Sequence, residues 1–120
     1  MAQSELECIV QDGVTVVVLG ENYGNLNDEV LDADSEFLLE TASSCDPPLM
    51  ALDMTSTKFF ASEFLGRLFR VWQRLQKRDG HLAVCGASEL CSEVLSVTRV
   101  DTIWKITSTR EEAVQQLNNA

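Results

Sequence analysis

Residues 49–65 read LMALDMTSTKFFASEFL, and this stretch decides the fold. The apolar run 49–54 is typical of a central β-strand that is covered on both faces. A polar connection follows, and from Ser62 onward apolar residues recur at the spacing of an amphipathic helix. These residues are Leu65, Leu68, Phe69, Trp72 and Leu75. A buried strand that leads into such a helix predicts one unit of an α/β sheet.

The same alternation of strands and helices extends in both directions. Residues 6–10 and 14–19 are β-rich runs joined by Gln-Asp-Gly, which predicts a hairpin. The further predicted elements are a helix over 28–43 with Asn27 as its N-cap, strands over 81–85 and 100–106, a helix over 88–95 capped by Ser88, and a last helix opened by the capping box Thr109–Glu112. This order predicts an α/β domain spanning 1–120, with a mixed, mostly parallel sheet, an N-terminal β-hairpin and about four helices.

Composition and net charge disfavour several classes of function. A net charge of −10 opposes binding to nucleic acid or to an anionic membrane. The sequence shows no secretory signal, and no apolar run approaches the roughly 20 residues of a membrane span. We therefore expect a soluble cytoplasmic protein. The four cysteines form no CxxC pair, so we expect no metal site and interpret Cys85 as a small core residue.

Motifs that carry catalysis or hold a cofactor are absent. No glycine-rich phosphate loop and no GxSxG or HExxH motif occurs, so we expect neither enzymatic activity nor a cofactor. Asp53 ends the central strand, where α/β enzymes often place an active residue, but a lone aspartate there is more typical of a turn. His81 is interpreted as a surface residue at the start of a strand.

Positive charge is concentrated in one segment. No lysine or arginine precedes Lys58, and six of the nine fall within 58–78. Arg67, Arg70, Arg74 and Lys77 recur at helical spacing away from the apolar stripe. Two interpretations remain open for these cations, a solvated helix face or a docking surface for an acidic patch on a protein partner.

Residues 52–65 resemble the signature of STAS domains, especially the anti-sigma-factor antagonists. In that family a strand ending in LDLS precedes an apolar pair and then Asp-Ser-Ser-Gly, which opens a helix. Here Leu52–Thr55 matches the strand end and Phe59-Phe60 the apolar pair. Ser62 falls on the serine that the partner kinase phosphorylates in that family. Gly20-Glu21 and the DGHLAVC segment, 79–85, also occupy matching positions.

The family's Asp-Ser-Ser-Gly appears here as Ala61-Ser62-Glu63-Phe64, which keeps the serine alone. Ser62 is therefore either a phosphorylation site or simply the N-cap of the helix. Glu63 is hypothesised to imitate, in part, a permanently modified surface. The candidate partner-binding residues are Ser62, Glu63, Lys58, Arg67, Arg70 and Arg74.

The resemblance implies a non-catalytic regulator that binds a serine-kinase-type anti-sigma factor and so influences transcription. One alternative is an accessory subunit bound to the ATPase of an ABC-type transporter. A second is a small nucleotide-binding enzyme of flavodoxin-like fold, which the missing phosphate loop disfavours.

Overall fold

The structure, a computed structural model, describes residues 6–23 and 28–119. The strands are β1 (Glu7–Gln11), β2 (Val14–Val18), β3 (Asn22–Tyr23), β4 (Leu49–Asp53), β5 (Phe59–Phe60), β6 (His81–Cys85) and β7 (Lys105–Thr107). The helices are α1 (Asp28–Ser44), α2 (Ser62–Gln76), α3 (Glu89–Val97) and α4 (Arg110–Asn118), with a 3₁₀ turn at Val100–Thr102. The predicted N-cap Asn27 lies outside the described residues.

Five strands form the main sheet in the order β1-β2-β4-β6-β7. The β1–β2 pair is antiparallel and the other neighbours are parallel. Asp12 and Gly13, at the turn of the hairpin, both have positive φ, as a two-residue type I′ turn requires. The predicted α/β class, N-terminal hairpin and mostly parallel sheet are confirmed.

The sheet is covered on both faces. Met50 and Leu52 of β4 belong to the larger cluster of buried side chains, to which α1, α2 and α3 contribute. Ala51 of β4 and Ala83 of β6 point to the opposite face, where α4 packs. Small side chains there let the helix approach the sheet closely. The carboxyl end of β4 leads through the β5 segment to the start of α2, where Ser62 is exposed.

The predicted strand over 100–106 is wrong in its first half. Val100–Thr102 forms a 3₁₀ turn, and only Lys105–Thr107 pairs with β6. Val100 and Trp104 are both buried, and the Trp104 amide donates to the Val100 carbonyl at 2.8 Å. Their spacing is therefore that of one helical turn, which imitates the alternation of a strand. The caps at Ser88 and Thr109 are confirmed, since each hydroxyl accepts a hydrogen bond from the third amide beyond it.

Candidate functional site

A second, two-stranded sheet holds the loop that connects β4 to α2. β5 pairs in parallel with β3, so Asn22 lies opposite Phe59 and Tyr23 opposite Phe60. The Lys58 amide donates to the Glu21 carbonyl at 2.7 Å, and the Ala61 amide donates to the Tyr23 carbonyl at 3.1 Å. The sequence pattern predicted neither β3 nor β5, because strands of two residues are too short for periodicity to reveal them. This pairing fixes where α2 begins.

Tyr23 is the residue that sequence reasoning missed. It is buried, and its ring stacks on Phe64 with centroids 3.9 Å apart and planes 3° from parallel. Its hydroxyl accepts from the Gly20 amide and donates to the Asp34 carboxylate, both at 2.8 Å. Burial raises the pKa of the Tyr23 phenol, the Gly20 hydrogen bond opposes that rise, and the Asp34 hydrogen bond adds to it. The phenol therefore stays protonated and ties the loop to α1.

Phe64 explains one departure from the family signature. It occupies the position of the family's glycine, and its side chain, in the first turn of α2, is fully buried. Besides stacking on Tyr23, it contacts Phe60 with ring centroids 6.0 Å apart. The aromatic cluster thus fills space that a glycine would leave empty, and the substitution belongs to the core of this protein.

Asp53 anchors the other end of the same loop. Its Oδ1 accepts from the amide and hydroxyl of Thr55, and its Oδ2 accepts from Arg110 Nε at 3.1 Å and Nη2 at 2.8 Å. Burial by itself would raise the pKa of Asp53, but the hydrogen bonds from Thr55 and Arg110, with the charge of Arg110, outweigh burial and lower it. The Thr55 contacts confirm a turn role for Asp53. The sequence pattern did not predict the partner of Asp53, because Arg110 lies 57 residues away in the chain.

Ser62 is exposed, as the first residue of α2. Its predicted role as the N-cap is wrong. The N-cap is Ala61, which has an extended backbone and no side-chain capping bond. The shift by one residue follows from the Ala61–Tyr23 backbone hydrogen bond, which holds Ala61 in the extended conformation. The hydroxyl of Ser62 therefore lies beside the positive end of a helix that has no side-chain cap.

The cations nearest Ser62 have partners within the chain. Arg67 pairs with Asp32 at 2.7 Å and, more weakly, with Glu63 at 3.7 Å. Lys58 lies 3.8 Å from Glu21, and both side chains are largely exposed. A pair as exposed as Lys58–Glu21 adds little to the stability of the fold. These pairs show, however, that Arg67 and Lys58 are directed toward neighbouring acids of this chain.

The remaining candidate cations lie further along α2. Arg70 and Arg74 are exposed, and Arg74 donates to the Ser43 hydroxyl of α1 at 2.8 Å. Within the described ranges Arg70 has no ion pair. The six candidate residues therefore lie on one contiguous segment, Lys58–Arg74. They differ in whether their side chains form ion pairs or hydrogen bonds with other residues of the chain.

The other reactive groups of the described residues form no second site. Burial raises the pKa of the Cys85 thiol to about 12, so this cysteine is protonated at neutral pH and packs as a core residue. His81 is exposed at the start of β6, as predicted. The described residues contain no cluster suited to hold a metal ion, and none of their helices is both long and apolar enough to cross a bilayer.

Solved structures with this architecture include several anti-sigma-factor antagonists. An anti-sigma-factor antagonist (STAS) domain protein from Planctomyces limnophilus matches with a TM-score of 0.81 and 27% identity, covering 94% of this chain and 97% of that chain. An anti-sigma factor antagonist from Mycobacterium paratuberculosis matches with a TM-score of 0.79 and 18% identity, covering 94% and 92% of the two chains. The phosphorylated form of the Bacillus cell fate determinant SpoIIAA matches with a TM-score of 0.67 and 14% identity, covering 92% and 97%.

No protein-family model and no curated protein matches the sequence. The fold defines the class of protein to which this chain is similar. An antiparallel hairpin leads into a parallel sheet, and α2 begins with the exposed Ser62. This is the STAS fold, and the resemblance inferred from residues 52–65 is confirmed. Within the class, the chain is similar in structure to anti-sigma-factor antagonists.

Proposed function

We propose that this protein is a non-catalytic regulator that binds a serine-kinase-type anti-sigma factor through the start and outer surface of α2. The observation that carries the proposal is the exposure of Ser62 at the start of an otherwise well-anchored helix. Ala61, directly before it, and Phe64, two residues after it, are fixed to Tyr23 by a hydrogen bond and a ring stack. A rigid, exposed hydroxyl suits recognition by a partner because little order has to be created on binding.

Phosphorylation of Ser62 is the proposed switch. A phosphate there would gain from the helix dipole and the unpaired amides of the first turn. It would also add a charge of about −1.5 to −2 to the contact surface. The phosphorylated protein would remain folded, and a partner docked over the start of α2 would be repelled. SpoIIAA, which shares the fold, is known in a phosphorylated form.

The direct test is phosphate transfer. The protein is incubated with a serine-kinase-type anti-sigma factor from the same genome and ATP, and its intact mass is measured. We expect one phosphate on the wild-type chain and none on Ser62→Ala, with Ser56→Ala as the matched control that retains phosphorylation. An unchanged mass together with no complex in size-exclusion chromatography would overturn the proposal. Phosphate on Ser62→Ala would place the switch elsewhere.

We expect Glu63 to contribute less to this surface than Ser62 does. Its carboxylate lies 3.7 Å from Arg67, so the negative charge hypothesised to imitate a phosphate is partly offset. We therefore expect Ser62 to remain the position that decides binding.

Binding to a transporter ATPase is the alternative. Affinity capture from native cells, with the bound proteins identified by mass spectrometry, separates the two. Recovery of an anti-sigma factor supports the proposal, and recovery of a transporter ATPase instead contradicts it. For the enzyme alternative, a saturable thermal shift with a nucleotide or flavin would contradict a non-catalytic role.

A further inference from the structure

The outer surface of α2 carries cations that find no acid within the described residues. The ion pairs of those residues involve Lys58, Arg67 and Arg110, whereas Arg70, Arg74 and Lys77 take part in none. The chain as a whole has a net charge of −10, so acids are abundant. A row of cations left unpaired on so acidic a protein is complementary to an anionic partner.

These cations line a groove. One hollow, of about 460 Å³, is bounded by Glu63, Gly66, Arg67 and Arg70. A second, of about 290 Å³, is bounded by Leu39, Arg70, Gln73, Arg74 and Lys77. The two hollows share Arg70, and we call them together the α2 groove. From residue 63 to residue 77 it extends about 21 Å along the helix, at 1.5 Å per residue.

Gly66 gives the groove its shape. It lies in the interior of α2, where glycine is unfavourable compared with alanine. A methyl group at this position would meet no atom of the chain within 4 Å. Packing within the protein therefore does not require a glycine here. The missing side chain leaves a notch in the groove, which allows the backbone of a bound segment to approach the helix closely.

The geometry points to an acidic segment of the partner protein as the occupant of the α2 groove. An extended segment of about six residues spans the length of the groove, at roughly 3.3 Å per residue. Its carboxylates would meet Arg70 and Arg74, whose planar guanidinium groups bind carboxylates in two-point contacts, and Lys77 as a point charge. Leu39 adds an apolar contact in the second hollow. This inference deepens the proposed function and rests on the domain being a protein-binding module.

The groove begins beside the proposed switch. Ser62 lies one helical turn before Gly66, and Glu63 bounds the first hollow. A phosphate on Ser62 would place negative charge at that end and oppose an acidic occupant. Occupation of the groove and phosphorylation of Ser62 are therefore expected to be antagonistic.

The test uses fluorescein-labelled hexaglutamate as the probe and fluorescence anisotropy at low ionic strength as the readout. We expect hexaglutamate to bind the wild-type protein at least about 10-fold more tightly than hexaglutamine, with an affinity that falls as salt is added. The double variant Arg70→Gln/Lys77→Gln should lose about 10-fold in affinity, because two carboxylate contacts disappear. Ser62→Glu should also weaken binding.

The matched control is Arg99→Gln/Lys105→Gln, which removes the same charge from residues outside the groove. It should stay within about twofold of the wild type, because the cations it removes do not contact the probe. Equal losses in the two double variants would overturn the inference, as would equal binding of hexaglutamate and hexaglutamine. Tighter binding of a single-stranded 12-mer DNA would point to nucleic acid instead. No anti-sigma factor is used, so this result is independent of the phosphate-transfer test.

Discussion

The polar and charged groups at the two ends of the segment from Asp53 to Arg70 differ in burial and in their partners. At the first end, a buried carboxylate is held by Thr55 and by two nitrogens of Arg110. At the second, the hydroxyl of Ser62 is exposed and Arg70 has no ion pair among the described residues. The first end fixes the loop against α4, and the second leaves polar groups available to another molecule.

This difference separates structural charge from charge suited to recognition. A buried ion whose partner is removed costs several kcal/mol, whereas an exposed ion changes stability little. Substitutions at the Asp53 end and in the aromatic cluster should therefore reduce stability. Substitutions on the outer surface of α2 should change binding and leave the fold intact.

The largest effect is expected at Phe64. Phe64→Ala removes a buried ring that stacks on Tyr23, and we expect a loss of about 3–5 kcal/mol in the free energy of unfolding. Urea denaturation followed by circular dichroism measures it. Phe69→Ala on the same helix, where the ring is partly exposed, should cost clearly less. Similar losses at the two positions would mean that Phe64 is not part of the core.

The second largest effect is expected for Arg110→Gln. The free energy of unfolding should fall by about 2 kcal/mol, because buried Asp53 would keep only its hydrogen bonds from Thr55. The pKa of Asp53 lies below its ordinary value of 3.8 in the folded state. Its ionised form therefore stabilises the fold above about pH 4, and this contribution is lost as pH falls through the lowered pKa.

Urea midpoints measured between pH 3 and pH 7 test this account of Asp53. The wild type should lose stability toward acid more steeply than Arg110→Gln does. Arg99→Gln, directly before the 3₁₀ turn, serves as the control and should keep the wild-type profile. Parallel profiles for the wild type and Arg110→Gln would contradict the role assigned to Asp53.

Arg70→Glu should act on binding alone. We expect about a 10-fold weaker complex with the anti-sigma factor, mainly through slower association, and a flatter dependence on salt. The free energy of unfolding should change by less than about 0.5 kcal/mol, since the side chain is exposed. Stopped-flow association at several salt concentrations measures the first effect. An unchanged rate constant would remove Arg70 from the interface.

Gly66→Ala should have opposite effects on stability and binding. The unfolding free energy should rise by about 0.5–1 kcal/mol, because alanine is the better helix former and its methyl group meets no neighbour. Hexaglutamate should nevertheless bind less tightly, because the notch is filled. Gln73→Ala, which trims another residue of the groove on the same helix, is the comparison. Greater stability with undiminished affinity would show that the notch is not used.

The smallest effect is expected at Glu63. Its charge is partly offset by Arg67 and largely exposed to solvent, so Glu63→Gln should change the affinity for the anti-sigma factor by less than about twofold, as for other exposed pairs. Isothermal titration calorimetry measures this, with Glu36→Gln on α1 as the control. A several-fold gain in affinity would restore the hypothesis that Glu63 imitates a phosphate.

Periodicity and capping predicted most of the fold because those signals are local. The 49–54 run, the stripe on α2 and the Thr109 capping box each lie within a few residues. The β3–β5 sheet and the Asp53–Arg110 pair escaped prediction because they join distant residues through one or two contacts. The N-cap assignment at Ser62 failed for the same reason, since a hydrogen bond to Tyr23 sets the first turn.

The sequence suggested the residues of the candidate site, and their role in binding stays a prediction. Ser62 and the cations of α2 were identified by resemblance and by helical spacing, and Ser62, Arg70 and Arg74 are exposed on this helix. Spacing alone did not distinguish Arg67 from Arg70, because the difference depends on Asp32 of a neighbouring helix. The α2 groove likewise depends on how α1 lies against α2.

The most direct test is a titration of ¹⁵N-labelled protein with the anti-sigma factor, followed by amide chemical shifts. The surface proposed here predicts that the largest changes fall within residues 58–77, with Ser62, Gly66 and Arg70 among them. Amides of β1 and α4 should change little. Binding that shifts the amides of β1 or α4 and leaves those of α2 unchanged would contradict the proposal that α2 forms the contact surface.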